Sequence, residues 1–329
     1  MKTTALFIAI ALLSCTTPKK EGPVEVAFTI PDKNLVLEGM AYDPVQHNFY
    51  FGTFNKRKVL RVSESGEVSD FITEAQDGVS AVAGIFVDVA RRELLFCGSD
   101  EGADGKSTLF RYEIETGKLI NKYRDETGQA QMFNDLVRLT DGTVYLTDSF
   151  QPAIYKLQPD SDKLVRLTNS ETIRHANGIT ATPDDKFVFV STSKSFARIE
   201  TSTDSIVRVS LLNYDISGND GLYYYKNSLI GVQNVSYPPF IGRYFLNDSL
   251  NGLVKGQVLA VDHPLFNIPA TGAIANGKFY FMATIKLIDI ASARSGDKNN
   301  VCNIGVMAKS REDYATLKKY LTPEIVKEH

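Results

Sequence analysis

The chain lacks the features that mark several large classes of protein. Its formal net charge is −3, so no excess of basic residues is available to attract nucleic acid. It has no Gly-rich phosphate-binding loop and no Cys-x-x-Cys pair, and its four His include no pair spaced for zinc. These absences argue against a nucleic-acid-binding protein, a phosphate-loop enzyme and a His-based zinc enzyme.

Long hydrophobic runs are also scarce, and the first is too short to span a membrane. Ala5 to Leu13 is apolar, and Leu12-Leu13-Ser14-Cys15 then resembles a bacterial lipobox. The sequence predicts a lipoprotein signal peptide at residues 1–14, a lipid on Cys15 and a polar tether at 15–23. The protein would then be held at a membrane surface of the cell envelope through the lipid alone. The alternative is an ordinary signal peptide with an incidental Cys.

Cysteine is rare, with three residues in 329. Besides Cys15, the chain has Cys97 and Cys302, which would lie in an oxidising compartment. They could form a disulfide, but Cys97 belongs to an apolar strand-like stretch and is equally compatible with a buried free thiol. Neither Cys97 nor Cys302 has the surroundings of a catalytic residue.

What the chain does have is a repeat. Its six copies open at Glu38-Gly39, Ala83-Gly84, Asn134-Asp135, Asn177-Gly178, Asp220-Gly221 and Thr271-Gly272. The second residues of these dipeptides lie 45, 51, 43, 43 and 51 positions apart, and each dipeptide leads into short strand-like stretches separated by turn residues. Repeats of this length and content predict an all-β, six-bladed β-propeller. Although the length would allow two domains, the repeat favours a single propeller over residues 24–329.

Both ends of the propeller carry further predictions. Val24 to Ile30 is expected to be a strand that completes the last blade and closes the ring. Cys302 to Ala308 is expected to be a strand of the sixth blade, and Lys309 to Tyr320 a helix on the outside. The extra stretch from Thr284 to Asn300 either shapes a pocket at the channel mouth or packs against the side.

Four of the repeat-opening residues are oxygen donors: Glu38, Asn134, Asn177 and Asp220. Inner strands of a propeller all run the same way along the central channel, so equivalent residues should converge at one mouth. Two carboxylates and two amide oxygens suit calcium first, with magnesium or manganese as alternatives. The competing interpretation is that these are simply turn residues before Gly, which explains four residues in register poorly.

At these residues the chain resembles the senescence marker protein (regucalcin)/gluconolactonase family and the related paraoxonases and diisopropylfluorophosphatase. The similar motifs are Leu37-Glu38-Gly39, Phe133-Asn134-Asp135, Ala176-Asn177-Gly178 and Asn219-Asp220-Gly221. The resemblance implies a six-bladed propeller with a divalent metal, usually calcium, in a pocket on the channel axis. It implies hydrolysis of lactones or other esters, including phosphoesters. Glu38, Asn134, Asn177 and Asp220 match the family's metal ligands, and Asp220 matches its general base or nucleophile.

The chain also departs from that family near the predicted pocket. Where gluconolactonase-type members carry an Arg that binds sugar hydroxyls, this chain has Met132, which suggests a less polar substrate. Ala83 in the second repeat offers no polar group, and Thr271 opens the sixth repeat at the same mouth. His175 is either a proton shuttle or, more simply, a structural residue. We count these four among the pocket residues. The residues expected to support the metal ligands are Asp135, Asp148 and Ser149.

Other functions remain open at this point. The protein could be a noncatalytic binding propeller with a structural calcium. It could also be a strictosidine-synthase-like small-ligand propeller, which Ala176 to Ser191 resembles, although that family does not need the four-residue oxygen set. The sequence favours a calcium-dependent hydrolase of a small-molecule lactone or ester, and nothing in it suggests more than a monomer.

Overall fold

The computed structural model describes residues 24–32, 34–99, 105–125, 129–167, 171–210, 216, 218–236, 238–261, 266, 268–283, 291–298 and 301–308. The predicted signal peptide, Cys15, the tether and the C-terminal helix lie outside these residues, as do residues 284–290 and 299–300 of the predicted insertion. Within the described ranges, no helix is both long and apolar enough to cross a membrane.

Five four-stranded antiparallel sheets follow one another along the chain. Blade 1 contains β1 (Leu37–Asp43), β2 (Asn48–Thr53), β3 (Lys58–Ser63) and β4 (Val68–Ile72). Blade 2 contains β5 (Ala81–Asp88), β6 (Glu93–Ser99), β7 (Ser107–Glu113) and β8 (Leu119–Arg124). Blade 3 contains β9 (Phe133–Arg138), β10 (Val144–Asp148), β11 (Ala153–Leu157) and β12 (Leu164–Leu167). Blade 4 contains β13 (Ile179–Ala181), β14 (Phe187–Ser191), β15 (Phe196–Glu200) and β16 (Ser205–Arg208). Blade 5 contains β17 (Asn219–Tyr224), β18 (Ser228–Gln233), β19 (Phe240–Leu246) and β20 (Leu253–Val261).

The remaining strands form two-stranded sheets. β21 (Gly272–Ala275) pairs with β22 (Lys278–Phe281), and β23 (Ala291–Lys298) pairs with β24 (Val301–Ala308). Two short 3-10 helices lie at Gln76–Gly78 and Glu171–Ile173.

Turn chemistry explains why the chain reverses where it does. In blade 3, the backbone N–H of Thr143 donates to Asp141 Oδ1 at 2.7 Å, and Gly142 adopts φ 102°. A glycine reaches that left-handed region without a steric penalty, which is why Asp141-Gly142 can form the turn of the hairpin between β9 and β10.

The inner strands β1, β5, β9, β13, β17 and β21 contact one another in that order, and β21 in turn contacts β1. Six apolar clusters fill the spaces between neighbouring blades, including one that joins β21 and β22 to blade 1. Burial of these faces closes the ring, since each sheet covers its apolar surface with the next. The predicted all-β propeller is confirmed. The blade count differs, because five blades have four strands while the described part of the sixth position has two.

Two predictions about the closing blade were wrong. Val24 to Ile30 is not a strand; instead the Phe28 ring packs against Phe49 and Phe51, with centroids 5.3 and 6.0 Å away. The sheet of β21 and β22 contains no third strand in the described residues, so the outer strand with which Val24 to Ile30 would pair is missing from that part of the chain. The predicted strand at Cys302 to Ala308 exists as β24, but its hydrogen-bonded partner is β23 rather than the sixth blade.

Cys97 lies on β6 and is completely buried in the apolar cluster between blades 2 and 3. It is a free thiol in the described part of the chain, and burial raises its pKa well above the ordinary value. A buried neutral thiol of this kind behaves as a small apolar side chain.

Candidate metal centre at one end of the channel

The four predicted oxygen donors occupy equivalent places in their blades. Glu38, Asn134 and Asp220 are the second residues of β1, β9 and β17, and Asn177 precedes β13 by two residues. Since the inner strands run side by side in the same direction, all four backbones lie at the same end of the channel.

Glycine follows three of the four donors, and also the equivalent residues Ala83 and Thr271, because neighbouring inner strands approach very closely. A Cβ at Gly39 would lie 2.0 Å from the Ala83 carbonyl oxygen, and one at Gly178 would lie 2.3 Å from the Asp220 carbonyl oxygen. Both distances are far below van der Waals contact. The repeated glycine is therefore a packing requirement of the ring.

The third repeat carries Asp135 in place of glycine, and the neighbouring blade makes room for it. A Cβ at Gly84 would lie 2.4 Å from Asp135 Oδ1. The Asp135 carboxylate accepts hydrogen bonds from the N–H of Leu136 at 2.9 Å and of Ile179 at 3.1 Å. This carboxylate thus ties blade 3 to blade 4 just below the oxygen donors.

The two amide side chains are held with their oxygens available. Asn134 is 7% exposed and donates through Nδ2 to Ser149 Oγ at 3.0 Å, which leaves its oxygen for another partner. Asn177 Oδ1 is buried and accepts no hydrogen bond from the described residues. Because a buried polar atom without a partner is strongly unfavourable, Asn177 Oδ1 is an oxygen that a cation would satisfy.

The carboxylates crowd one another. Burial raises the pKa of Asp220, although hydrogen bonds from Asn177 and from Asn234 Nδ2, the latter at 2.7 Å, act in the opposite direction. Burial also raises the pKa of Glu38 well above its usual range, and the charges of Asp220 and Asp135 raise it further. Burial and Asp220 raise the pKa of Asp135 to about 7. Such carboxylates are ionised readily only with a positive charge nearby.

The donor set fits a hard cation rather than zinc. In the described residues no three His, Cys, Asp or Glu side chains converge on a single position, so a cation here needs the amide oxygens of Asn134 and Asn177 as well as the carboxylates of Glu38 and Asp220. Mixed carboxylate and amide oxygens are typical ligands of calcium. The site thus fits the predicted calcium, although it contains no His or Cys for softer metals.

Hydroxyl groups of neighbouring blades hold the backbone at each donor. Ser99 Oγ donates to the Phe133 carbonyl at 2.8 Å, Ser149 Oγ to Ala176 at 2.7 Å, Ser191 Oγ to Asn219 at 3.0 Å, and Thr271 Oγ1 to Glu38. Each bond crosses from one blade to the next. Of these supporting residues, Ser149 was expected from the sequence, whereas Ser99, Ser191 and Asn234 were not. A Ser at the end of the second strand or just after it recurs in blades 2, 3 and 4, and this recurrence is visible in the sequence.

The predicted pocket residues have different environments. Thr271 lines the central cavity of about 120 Å³, which also contains Asp135 and Tyr223. Met132 is half-buried, and His175 is exposed with a left-handed backbone, φ 50°. Ala83 is fully buried in the core between blades 2 and 3 and does not line this cavity, because the bulge between Val82 and Ile85 turns it into that core.

The crowded carboxylates predict a pH-dependent stability of the metal-free protein. The folded-state pKa of Glu38 is raised, so its stabilising contribution is full below its unfolded pKa and is lost as pH rises through the folded value. In chelator, Glu38→Gln should therefore raise Tm by a few degrees at pH 8 and by less at pH 5.

Thermal unfolding in EDTA at both pH values measures this effect. Glu67→Gln, in the exposed β3–β4 turn, is the control and should change Tm little. A Glu38→Gln protein that is less stable than wild type in EDTA at pH 8 would contradict the proposed crowding.

A family model described as an AtuA ferredoxin-like domain matches residues 285–329, which is a small part of the chain and lies beyond β22. No curated protein sequence matches the chain significantly.

Solved structures are similar over most of the chain. A gluconolactonase from Xanthomonas campestris has 18% identity and a TM-score of 0.56, covering 76% of this chain and 84% of its own. Virginiamycin B lyase from Staphylococcus aureus has 15% identity and a TM-score of 0.55, and the match covers 86% of this chain and 87% of the lyase chain. A chain in the structure of a nidogen/laminin complex has 15% identity and a TM-score of 0.53, and the match covers 70% of this chain and 81% of that chain.

At these identities the likeness establishes the fold and no more, since one fold serves many functions. The neighbours include a hydrolase, a lyase and a structure of a protein complex. The chain is an all-β propeller, similar in fold to a gluconolactonase, with a cluster of carboxylate and amide oxygens at one end of its channel.

Proposed function

We propose that the protein is a divalent-cation-dependent hydrolase that acts on a lactone or ester at the channel end where Glu38, Asn134, Asn177 and Asp220 converge. The observation that carries this proposal is the buried Oδ1 of Asn177, which has no hydrogen-bond partner among the described residues and lies beside two carboxylates of raised pKa. Calcium is the cation that this set of oxygens suits best.

A cation held by these four side chains would polarise a substrate carbonyl and stabilise the negative charge that develops on its oxygen. Asp220 would accept the proton of the attacking water, or attack directly. Asn234 and Asn177 fix its carboxylate, so Asp220 would contribute through position more than through basicity, which a neighbouring cation lowers. Asp135 is less suited to this role because backbone N–H groups engage both of its oxygens.

The propeller similarity to a gluconolactonase supports a hydrolase at the coarse level. We propose further that the protein acts as a monomer on a small molecule, with no role for nucleic acid. Lipidation of Cys15 would place it at a membrane surface in the cell envelope.

Proton release by the purified full chain, measured in detergent on a panel of lactones and aryl esters, tests the proposal. We expect turnover of at least one substrate, its loss after chelation and its return with calcium. Absence of turnover while calcium raises Tm would instead favour a noncatalytic binding propeller. Insensitivity of both turnover and Tm to calcium would contradict the metal site.

A further inference from the structure

Strand register places two exposed apolar residues at the same channel end as the oxygen donors. Phe133 pairs with Asp148 across β9 and β10, and Asn219 pairs with Gln233 across β17 and β18. The segments that leave β10 and β18 therefore begin beside Asn134 and Asp220. Two residues beyond the ends of these strands lie Phe150, 59% exposed, and Val235, 78% exposed.

Phe150 and Met132 are fixed at this end by one carboxylate. Asp148 is fully buried, and its Oδ1 accepts the N–H groups of Met132 at 3.0 Å, Phe150 at 2.9 Å and Gln151 at 3.0 Å. The loops before β9 and after β10 are thus tied to each other. The backbone that carries these two apolar side chains is thus held close to Asn134, which reduces the cost of ordering the loops on binding.

Val235 is fixed on the other side of the donor cluster. It follows Asn234, whose amide donates to Asp220 Oδ2. Val235 also packs closely over Gly218, where a Cβ would lie 2.7 Å from the Val235 Cβ.

Gln131, the polar residue just before Met132, is not available at this end of the channel. Gln131 is 2% exposed, and its Nε2 donates to Asp125 at 2.7 Å and to Tyr155 at 3.2 Å. Its amide nitrogen is therefore engaged by Asp125 and Tyr155 rather than available to substrate hydroxyls.

Phe150 and Val235 differ in position from the other exposed large apolar residues of the described ranges. Three of those others lie before β1 or in the turns that follow β1 and β5, at Val26, Val45 and Val89. Seven lie on outermost strands: Val68, Ile120, Val165, Val207, Val254, Val258 and Val261. Single apolar residues on such strands need no explanation, whereas apolar residues that flank a polar cleft are typical of ligand sites.

We propose that Met132, Phe150 and Val235 form an apolar rim that selects lactones or esters bearing an alkyl chain or aryl ring over polyhydroxylated sugar lactones. This inference rests on the proposed function and adds the substrate class to it. The rim contacts the apolar substituent while the oxygen donors hold the reacting carbonyl.

A series of γ-lactones with lengthening alkyl substituents, with glucono-δ-lactone as the polar probe, tests the rim. We expect wild-type kcat/KM to rise about twofold or more per methylene and to be lowest for the sugar lactone. In the double variant Phe150→Ala/Val235→Ala the dependence on chain length should flatten. The control Val165→Ala, at a site 52% exposed on β12, should keep the wild-type dependence.

Calorimetric binding of the longest γ-lactone gives a second readout that does not need turnover. The double variant should bind it about tenfold more weakly than wild type or Val165→Ala. Two results would contradict the proposed rim without contradicting the hydrolase activity. One is turnover by the double variant with an unchanged dependence on chain length, and the other is a wild-type preference for glucono-δ-lactone. Absence of calcium-dependent turnover would contradict the proposed hydrolase. The calorimetric difference between wild type and the double variant would then show whether the rim binds the alkyl chain.

Discussion

Replacing Asp220 by Asn should lower the calcium-dependent kcat/KM by about 10³-fold or more, because general bases and nucleophiles contribute effects of this size. The substitution keeps the shape of the side chain. It removes one of the two carboxylates that would bind the cation. This carboxylate is also the one that hydrogen bonds from Asn177 and Asn234 hold in place. Calcium affinity should fall as well, since a charged ligand becomes neutral.

Proton-release kinetics and calcium titration calorimetry measure the two effects separately. Asp184→Asn is the matched control, because Asp184 is exposed in the turn between β13 and β14 at the opposite end of the channel. It should leave both quantities unchanged. An Asp220→Asn protein that retains activity within tenfold of wild type would show that another residue performs the chemistry.

The second large effect is structural. Gly178→Ala should lower the free energy of unfolding by about 3 kcal/mol or more, at the upper end for overpacked sites. The new Cβ would lie 2.3 Å from the Asp220 carbonyl oxygen and 2.5 Å from the Leu222 nitrogen. The strand cannot easily move away, because the N–H of Gly178 donates to Asp220 at 2.9 Å and its carbonyl accepts from Ser191 at 2.8 Å.

Urea unfolding in the presence of chelator measures this loss without a contribution from bound metal. Gly277→Ala separates steric from conformational effects. Nothing lies within 4 Å of a Cβ there, but its φ is 74°, so the left-handed backbone alone should cost about 1 kcal/mol. Equal losses in the two variants would contradict the close approach of the inner strands.

At the C-terminal end of the described chain, the sequence pattern predicted a strand correctly but not the strand with which it pairs. β23 and β24 pair with each other along their whole length, and the AtuA ferredoxin-like match covers the same region from residue 285. A strand edge that is already hydrogen-bonded to one neighbour cannot pair with a second strand, so the edge of β24 that pairs with β23 is not available to the sixth blade. The single propeller domain over residues 24–329 stays a prediction for this C-terminal part.

The sequence by itself determined the ring and the place of the donor cluster. The repeat of 43 to 51 residues recurs along the chain, and a glycine stands near the start of the inner strand in five of its six copies, with Asp135 in the third. Because equivalent positions in a ring of parallel inner strands lie at one end, the common channel end of Glu38, Asn134, Asn177 and Asp220 followed from spacing alone, while their joint binding of a cation stays a prediction.

Only the tertiary structure decided the contacts between blades. The bond from Ser191 to Asn219, the support of Asp220 by Asn234 and the burial of Ala83 depend on side chains that approach across a loop or a blade boundary. The non-strand path of Val24 to Ile30 likewise depended on which strands β22 has beside it. Periodicity reports which face of a strand is apolar, but the distance between residues far apart in the chain is fixed only when the sheets pack.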